Sequence, residues 1–214
     1  MSRITLILVA AAALFAGCSR PRIQGDGVIQ TEDRSISDFS KVVVAGGYQI
    51  KWSSGKPALN LSTDQNLLPL IETVISGDTL KIKSKEDLVP AKSITIILSS
   101  SSLADVRLTG GNSFTATRIA GPDLKIESSG ASDISVDGSV TNLEVRLTGA
   151  SRLEAKSLQS QIAAITLVGA SEADVTVTDT LQASVTGVGL LTYSGNPKSV
   201  EKKITGAGSI QSRP

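Results

Sequence analysis

The pentapeptide Leu147-Thr148-Gly149-Ala150-Ser151 decides how this chain is read, because variants of it recur on both sides. Upstream stand Leu108-Thr109-Gly110-Gly111-Asn112 and Ser128-Ser129-Gly130-Ala131-Ser132. Downstream stand Leu167-Val168-Gly169-Ala170-Ser171, Val185-Thr186-Gly187-Val188-Gly189 and Ile204-Thr205-Gly206-Ala207-Gly208. The central glycines Gly110, Gly130, Gly149, Gly169, Gly187 and Gly206 follow one another at steps of 20, 19, 20, 18 and 19 residues. A near-constant period of this size marks stacked supersecondary units that cannot bury their apolar faces singly.

Working outward from the glycine, each unit has one grammar. A strand precedes it (for example Leu124 to Ser129), a small residue follows it, and a second short strand comes next (for example Asp133 to Asp137). Apolar residues alternate in both, as in Leu124 and Ile126, then Ile134 and Val136. Period two identifies strands with one buried face. Two or three short strands per unit predict an all-β fold, a single-stranded parallel β-helix with about 19–20 residues per coil. Right-handed winding is expected by analogy, because the left-handed form shows a strict hexapeptide period that is absent here. Six coils at about 4.8 Å each would extend about 29 Å. Coils in register would stack the residues before the glycines, Thr109, Ser129, Thr148, Val168, Thr186 and Thr205, into a hydroxyl ladder broken at Val168.

Composition agrees with a narrow interior. Hydrophobic residues make up 40% of the 214, yet aromatics only 3%, so the apolar content is mainly Val, Ile, Leu and Ala. Lys plus Arg is 21 against 20 Asp plus Glu, which leaves no basic excess for a phosphate backbone and argues against nucleic-acid binding. The chain has no histidine, the commonest general base and transition-metal ligand. Its single cysteine excludes an internal disulfide and a multi-cysteine metal site. No catalytic, cofactor-binding or metal-binding residues are therefore expected. Ser132, Ser151 and Ser171 lie in the glycine turns, but no histidine activates them and no phosphate-loop string surrounds them, so they read as parts of stacked tight turns. Acidic residues Asp133, Asp137, Glu154, Glu172, Asp174 and Asp179 could hold Ca²⁺ on one flank. With Arg146, Arg152 and Lys156 interleaved, a solvated mixed-charge face is the expectation.

The N-terminus carries an address. Arg3 is followed by the apolar run Ile4 to Phe15, too short to anchor stably across a bilayer, then by Ala16-Gly17 and Cys18. This resembles the lipobox of bacterial lipoproteins, which implies cleavage after residue 17 and a membrane anchor of acyl chains on Cys18. Ser19 after the cysteine implies the outer membrane. Residues 18–36, with Pro21, Gly25 and Gly27, read as a flexible tether. A β-helical body is expected over 37–213, with N-terminal coils and a cap over 37–98 and the regular array over 99–213. Tyr48 and Trp52, two of six aromatics, are expected to cap the solenoid. Asn66 to Ile75 reads as at most one or two helical turns, with Pro69 in the first.

Several strings together resemble the exported bacterial family of the putative auto-transporter adhesin, head GIN domain. They are G-D-G at 25–27, E-D-R-S-I-S-D-F at 32–39, V-V-V-A-G-G-Y-Q-I at 42–50, D-Q-N-L-L-P-L-I-E-T at 64–73, G-D-T-L-K-I at 77–82 and the serial glycine turns. The resemblance spans about residues 25–211. It implies a β-helical body at the cell envelope, often lipid-anchored, and contributes no catalytic residues. The functional expectation is a non-enzymatic envelope lipoprotein whose solenoid binds a protein or glycan partner. Two other expectations differ in kind: a polysaccharide-binding or polysaccharide-cleaving β-helix protein, and a periplasmic structural or sensing component.

Overall fold

A computed structural model describes residues 22–213. The signal segment 1–17 and Cys18 lie outside the described residues. The chain opens with β1 (Arg22–Gln24), β2 (Ile29–Arg34), β3 (Lys41–Gly46), β4 (Gln49–Ser54) and β5 (Ala58–Asp64). A single 3-10 turn, Leu68–Leu70, leads to β6 (Ile71–Ser76), β7 (Thr79–Ser84), β8 (Asp87–Val89) and β9 (Thr95–Ser100). Then come β10 (Asp105–Gly110), β11 (Ser113–Gly130), β12 (Asp133–Gly149), β13 (Arg152–Gly169), β14 (Glu172–Gly187), β15 (Leu190–Ser194), β16 (Ser199–Gly206) and β17 (Ser209–Ser212).

The array stacks as its period requires. β10, β11, β12, β13, β14 and β16 pair in parallel, and the six repeat glycines stand opposite one another in unbroken register. The fold is all-β, a parallel β-solenoid. Each glycine has a positive φ, 109° at Gly149 and 97° at Gly169. A Cβ on Gly169 would lie 2.6 Å from the carbonyl oxygen of Gly149 in the coil beneath, so close backbone approach as well as turn conformation demands glycine. The outer ladder before the glycines also forms, with Thr109, Ser129, Thr148, Thr186 and Thr205 exposed.

The two short strands of the expected unit are fused across the unit boundary. β11, β12, β13 and β14 run 18, 17, 18 and 16 residues, from one glycine turn to the next. Each bends instead of stopping. Register shifts fall between Ala116 and Ile119 and between Ser135 and Asp137, beside Arg118 at φ 59° and Gly138 at φ 132°. Bulges of this kind turn a strand through a corner without ending its ladder.

The N-terminal region departs from sequential stacking. Gly46 stands opposite Gly110, so V-V-V-A-G-G is a seventh copy of the turn, one coil before the array. On its other side, β3 pairs in parallel with β7, and β4 with β9. Coil 41–54 is thus inserted between residues 79–100 and residues 105–117, which are consecutive in the chain. Beyond that, polarity reverses: β6 is antiparallel to β7, β5 to β9, and β2 to β5. The 3-10 turn links β5 to β6 and buries Leu67 and Leu68, closing the interior at this end.

Two expectations are corrected. Residues 22–24 and 29–34 are paired strands, so the tether reading does not hold over those stretches. Tyr48 and Trp52 do not close the end. Tyr48 stands just before β4 and Trp52 on it, with β9 stacked outside, and the Trp52 Nε1–H donates to Ser100 Oγ at 2.8 Å. Their bulk fills the interior just inside the cap, at 3% and 2% exposure. The helix-like stretch holds one 3-10 turn with Pro69 at its start, as expected, and Ile71–Ser76 continues as the outermost strand.

Candidate functional site

The turn edge carries two columns, one buried and one open. The buried column lies two residues after each glycine: Tyr48, Asn112, Ser132, Ser151 and Ser171, ending in Gly189 and Gly208. Its hydroxyls staple coils together. Ser132 Oγ donates to the Gly110 carbonyl at 3.2 Å, Ser151 Oγ to Gly130 at 3.4 Å and Ser171 Oγ to Gly149 at 3.3 Å. Asn112 N–H donates to Ser132 Oγ (3.3 Å), and Ser132 N–H to Ser151 Oγ (3.2 Å). These serines are about 1% exposed, and hydrogen bonding is what makes burying them tolerable. The structure therefore gives the turn serines a stapling role.

The open column is the small residue after each glycine, and against its first members lies a groove. Two adjoining cavities, about 450 Å³ and 410 Å³, share Gly47, Tyr48 and Pro90. Gly46 and Gly47 line the first with Arg22, Ser84 and Asp87; Gly111, Ala131, Lys92 and Asp133 line the second. The outer wall is residues 87–94, whose strand β8 pairs with β1 and not with a coil.

Asp64 holds that wall in place. Its carboxylate is fully buried and accepts hydrogen bonds from Gly27 N–H at 2.8 Å and Ala91 N–H at 2.9 Å. A Cβ on Gly25 would strike this carboxylate. Asn66 completes the latch: its Oδ1 accepts from Asp26 N–H (3.1 Å) and its Nδ2 donates to the Gln24 carbonyl (2.7 Å). The strings G-D-G and D-Q-N are therefore one structural device. Arg34, from E-D-R-S, donates to the carbonyls of Ile71 (2.6 Å) and Leu68 (2.9 Å), tying β2 to the cap. These strings carry no local sign of that role, since their partners lie 27 to 42 residues away.

Tyr48 lies between the two cavities. Its hydroxyl is buried against Ser84 without completing a hydrogen bond. Burial pushes its pKa up, while Ser84 pulls the other way.

A second feature lies further along the array, on the outer face of the strands that follow the glycine turns, where Arg152, Glu154, Lys156, Glu172, Asp174 and Arg213 surround a cavity of about 310 Å³. Arg152 pairs with Glu154 (3.3 Å) and Glu172 (3.1 Å), and Arg213 with Asp174 (2.7 Å). Of the six acidic positions singled out in the sequence, Asp133, Glu154, Glu172 and Asp174 reach this face. Asp137 instead accepts the Arg118 N–H at 2.7 Å, and Asp179 pairs with Lys198 at 2.8 Å, which lowers its pKa. Among the described residues, no group of three or more His, Cys, Asp or Glu is set to hold a metal ion.

Fold and site together define a parallel β-solenoid with a closed N-terminal end and an open groove on its turn edge. The chain belongs to the family described as putative auto-transporter adhesin, head GIN domain, whose profile matches residues 38–197. Solved structures share the fold. One, described as a putative adhesin from Bacteroides fragilis, has 19% identity and a TM-score of 0.71, covering 89% of this chain and 100% of its own. A putative lipid binding protein from Parabacteroides distasonis has 22% identity and a TM-score of 0.53, covering 91% and 100%. A putative adhesin from Parabacteroides merdae has 17% identity and a TM-score of 0.51, covering 90% and 99%. No curated protein matches the chain.

Proposed function

We propose that this chain is a non-enzymatic cell-envelope lipoprotein, held in the outer membrane by acyl chains on Cys18, whose solenoid binds a protein or glycan in an adhesin-like way. The turn-edge groove is the observation that carries the reading. It is long, open and walled by glycine and alanine backbone, with Arg22 and Asp87 in one half and Lys92 and Asp133 in the other. Such a surface suits an extended polar chain, held by hydrogen bonds along its length and by one charge pair at each end. The family description and the adhesin-like names of its structural neighbours support binding as the role. Acyl chains contribute about 0.8 kcal/mol per buried CH₂, so several would anchor the body stably.

Two experiments test this. Palmitate-analogue labelling should mark the wild type and not Cys18→Ala; equal labelling removes the anchor. Glycan and peptide array binding should fall when Gly111→Trp fills the groove. Binding that survives this change places the ligand elsewhere.

One observation favours a second reading, polysaccharide cleavage: Glu154, Glu172 and Asp174 share one cavity with three basic residues. Carboxylates around a common site are what glycoside hydrolysis requires. New reducing ends on incubation with a glycan panel, lost in Glu154→Gln, would establish it.

A further inference from the structure

The two ends of the solenoid differ. At the N-terminal end, antiparallel strands and the 3-10 turn cover the interior. At the other end, β16 pairs only with β14, and every one of its eight residues is exposed. Its inward positions continue the core columns. Val200 follows Leu181, Lys202 follows Ala183, and Ile204 follows Val185. Val200 and Ile204 are left 37% and 46% exposed, where their predecessors are 0%.

Lys202 is the anomaly. Its column runs Leu80, Val42, Val106, Ile126, Val145, Ile165, Ala183, then Lys202, apolar at every rung but the last. The side chain crosses the open end to the other sheet face. Its ammonium stands 4.8 Å from the centroid of the Tyr193 ring and donates to the Ile210 carbonyl at 3.4 Å. A charge pointing inward on an edge strand is a known defence against edge pairing.

The rest of β16 is self-complementary. Let a second copy run antiparallel along it, related by a two-fold axis through Lys202. Val200 then faces Ile204 of the copy on the inner side, and Glu201 faces Lys203 on the outer side, each contact occurring twice. Only the central pair, Lys202 against Lys202, is repulsive. We propose that β16 is a homotypic docking edge for a second copy of this chain, and that Lys202 keeps the pairing weak. The charge and apolar matches are specific to that register, which the isologous symmetry of a two-fold dimer requires. The proposal rests on strand register alone and is independent of the anchor. It also has a geometric consequence. β1, where the described chain begins, pairs with β8 in the N-terminal region, and seven rung steps of about 4.8 Å separate β7 from β16, so the docking edge lies roughly 34 Å from that end.

The test is sedimentation velocity on the full chain in non-ionic detergent over about a hundredfold concentration range. Lys202→Leu should tighten self-association at least about tenfold, since it removes the like-charge contact. Glu201→Lys in that background should reverse the gain by setting Lys against Lys. Adding Lys203→Glu should restore it, because the swap recreates both outer pairs. Both charge positions face solvent, so these variants leave the fold intact even if Lys202→Leu loosens the last coil. Unchanged sedimentation of Lys202→Leu overturns the proposal. So does association that ignores the single charge reversal, which would indicate a merely sticky end.

Discussion

Gly149→Ala in the middle of the array isolates the stacking that holds the solenoid. The residue sits at φ 109°, and a Cβ there would meet the Gly130 carbonyl oxygen of the coil beneath. Alanine at such a φ costs on the order of 1–3 kcal/mol in backbone strain. Relieving the collision must also push two rungs apart, stretching the 2.9 Å bond from Ala150 N–H to the same carbonyl, at a further cost of about 1 kcal/mol. A total of about 2–4 kcal/mol is therefore expected, with strain at a special backbone position as its main source. Ser151→Ala is the matched comparison. It strips the acceptor from Ser132 N–H and the 2.9 Å partner from Ser128 Oγ, both buried, for about 1–3 kcal/mol. Urea unfolding followed by circular dichroism should rank glycine above serine by roughly 1 kcal/mol. A Gly149→Ala cost below about 1 kcal/mol, or the reverse ranking, would refute the claim that close backbone stacking selects glycine.

Further expectations concern the N-terminal latch and the surface charges. Asp64→Ala removes the acceptor of both the Gly27 and the Ala91 N–H, so hydrogen-exchange protection at both should collapse while the array keeps its own. Arg34→Met removes donors to the Ile71 and Leu68 carbonyls, and limited proteolysis should then cut first within residues 64–78. Tyr48→Phe should change stability by less than about 0.5 kcal/mol or raise it, since the hydroxyl has no partner to lose. Asp38 is held below its ordinary pKa of 3.8 by hydrogen bonds from the Ser101 hydroxyl and N–H, and Asp78 by its bond to Lys41. A lowered folded pKa gives stability that is complete above the ordinary value and lost as pH falls through the folded one. Acid titration of stability should thus drop below about pH 3.8 in the wild type, and less steeply in Asp38→Asn.

How much of this was legible in the sequence follows from the distance between partners. The glycine column, the alternating strands and the outer hydroxyl ladder repeat about every 19 residues, so the period alone reveals them. The same period hid the seventh rung: Gly46 pairs with Gly110 across 64 positions, and the excursion through residues 58–100 breaks the count. The turn serines read correctly as structural, but their role as acceptors for the neighbouring coil's N–H requires coordinates. The groove was invisible for the same reason, since its wall (residues 87–94) is held by Asp64 from another strand. Lys202 carries a signal that could have been found: aligned on Gly206, it is a charge where earlier units have Ile165 and Ala183.

The central claim is that coil 41–54 lies between residues 79–100 and 105–117, and paired cysteines test it most directly. In a Cys18→Ser background, Ala45→Cys with Thr109→Cys, and Ala45→Cys with Lys83→Cys, each place two thiols on adjacent in-register rungs. Adjacent rungs lie about 4.8 Å apart, within disulfide range, whereas Lys83 and Thr109 are separated by a whole rung. Mild oxidation should close both Ala45 pairs and leave the Lys83→Cys/Thr109→Cys pair reduced. A disulfide between positions 83 and 109, with none to position 45, would mean a simple sequential stack and would contradict the fold described.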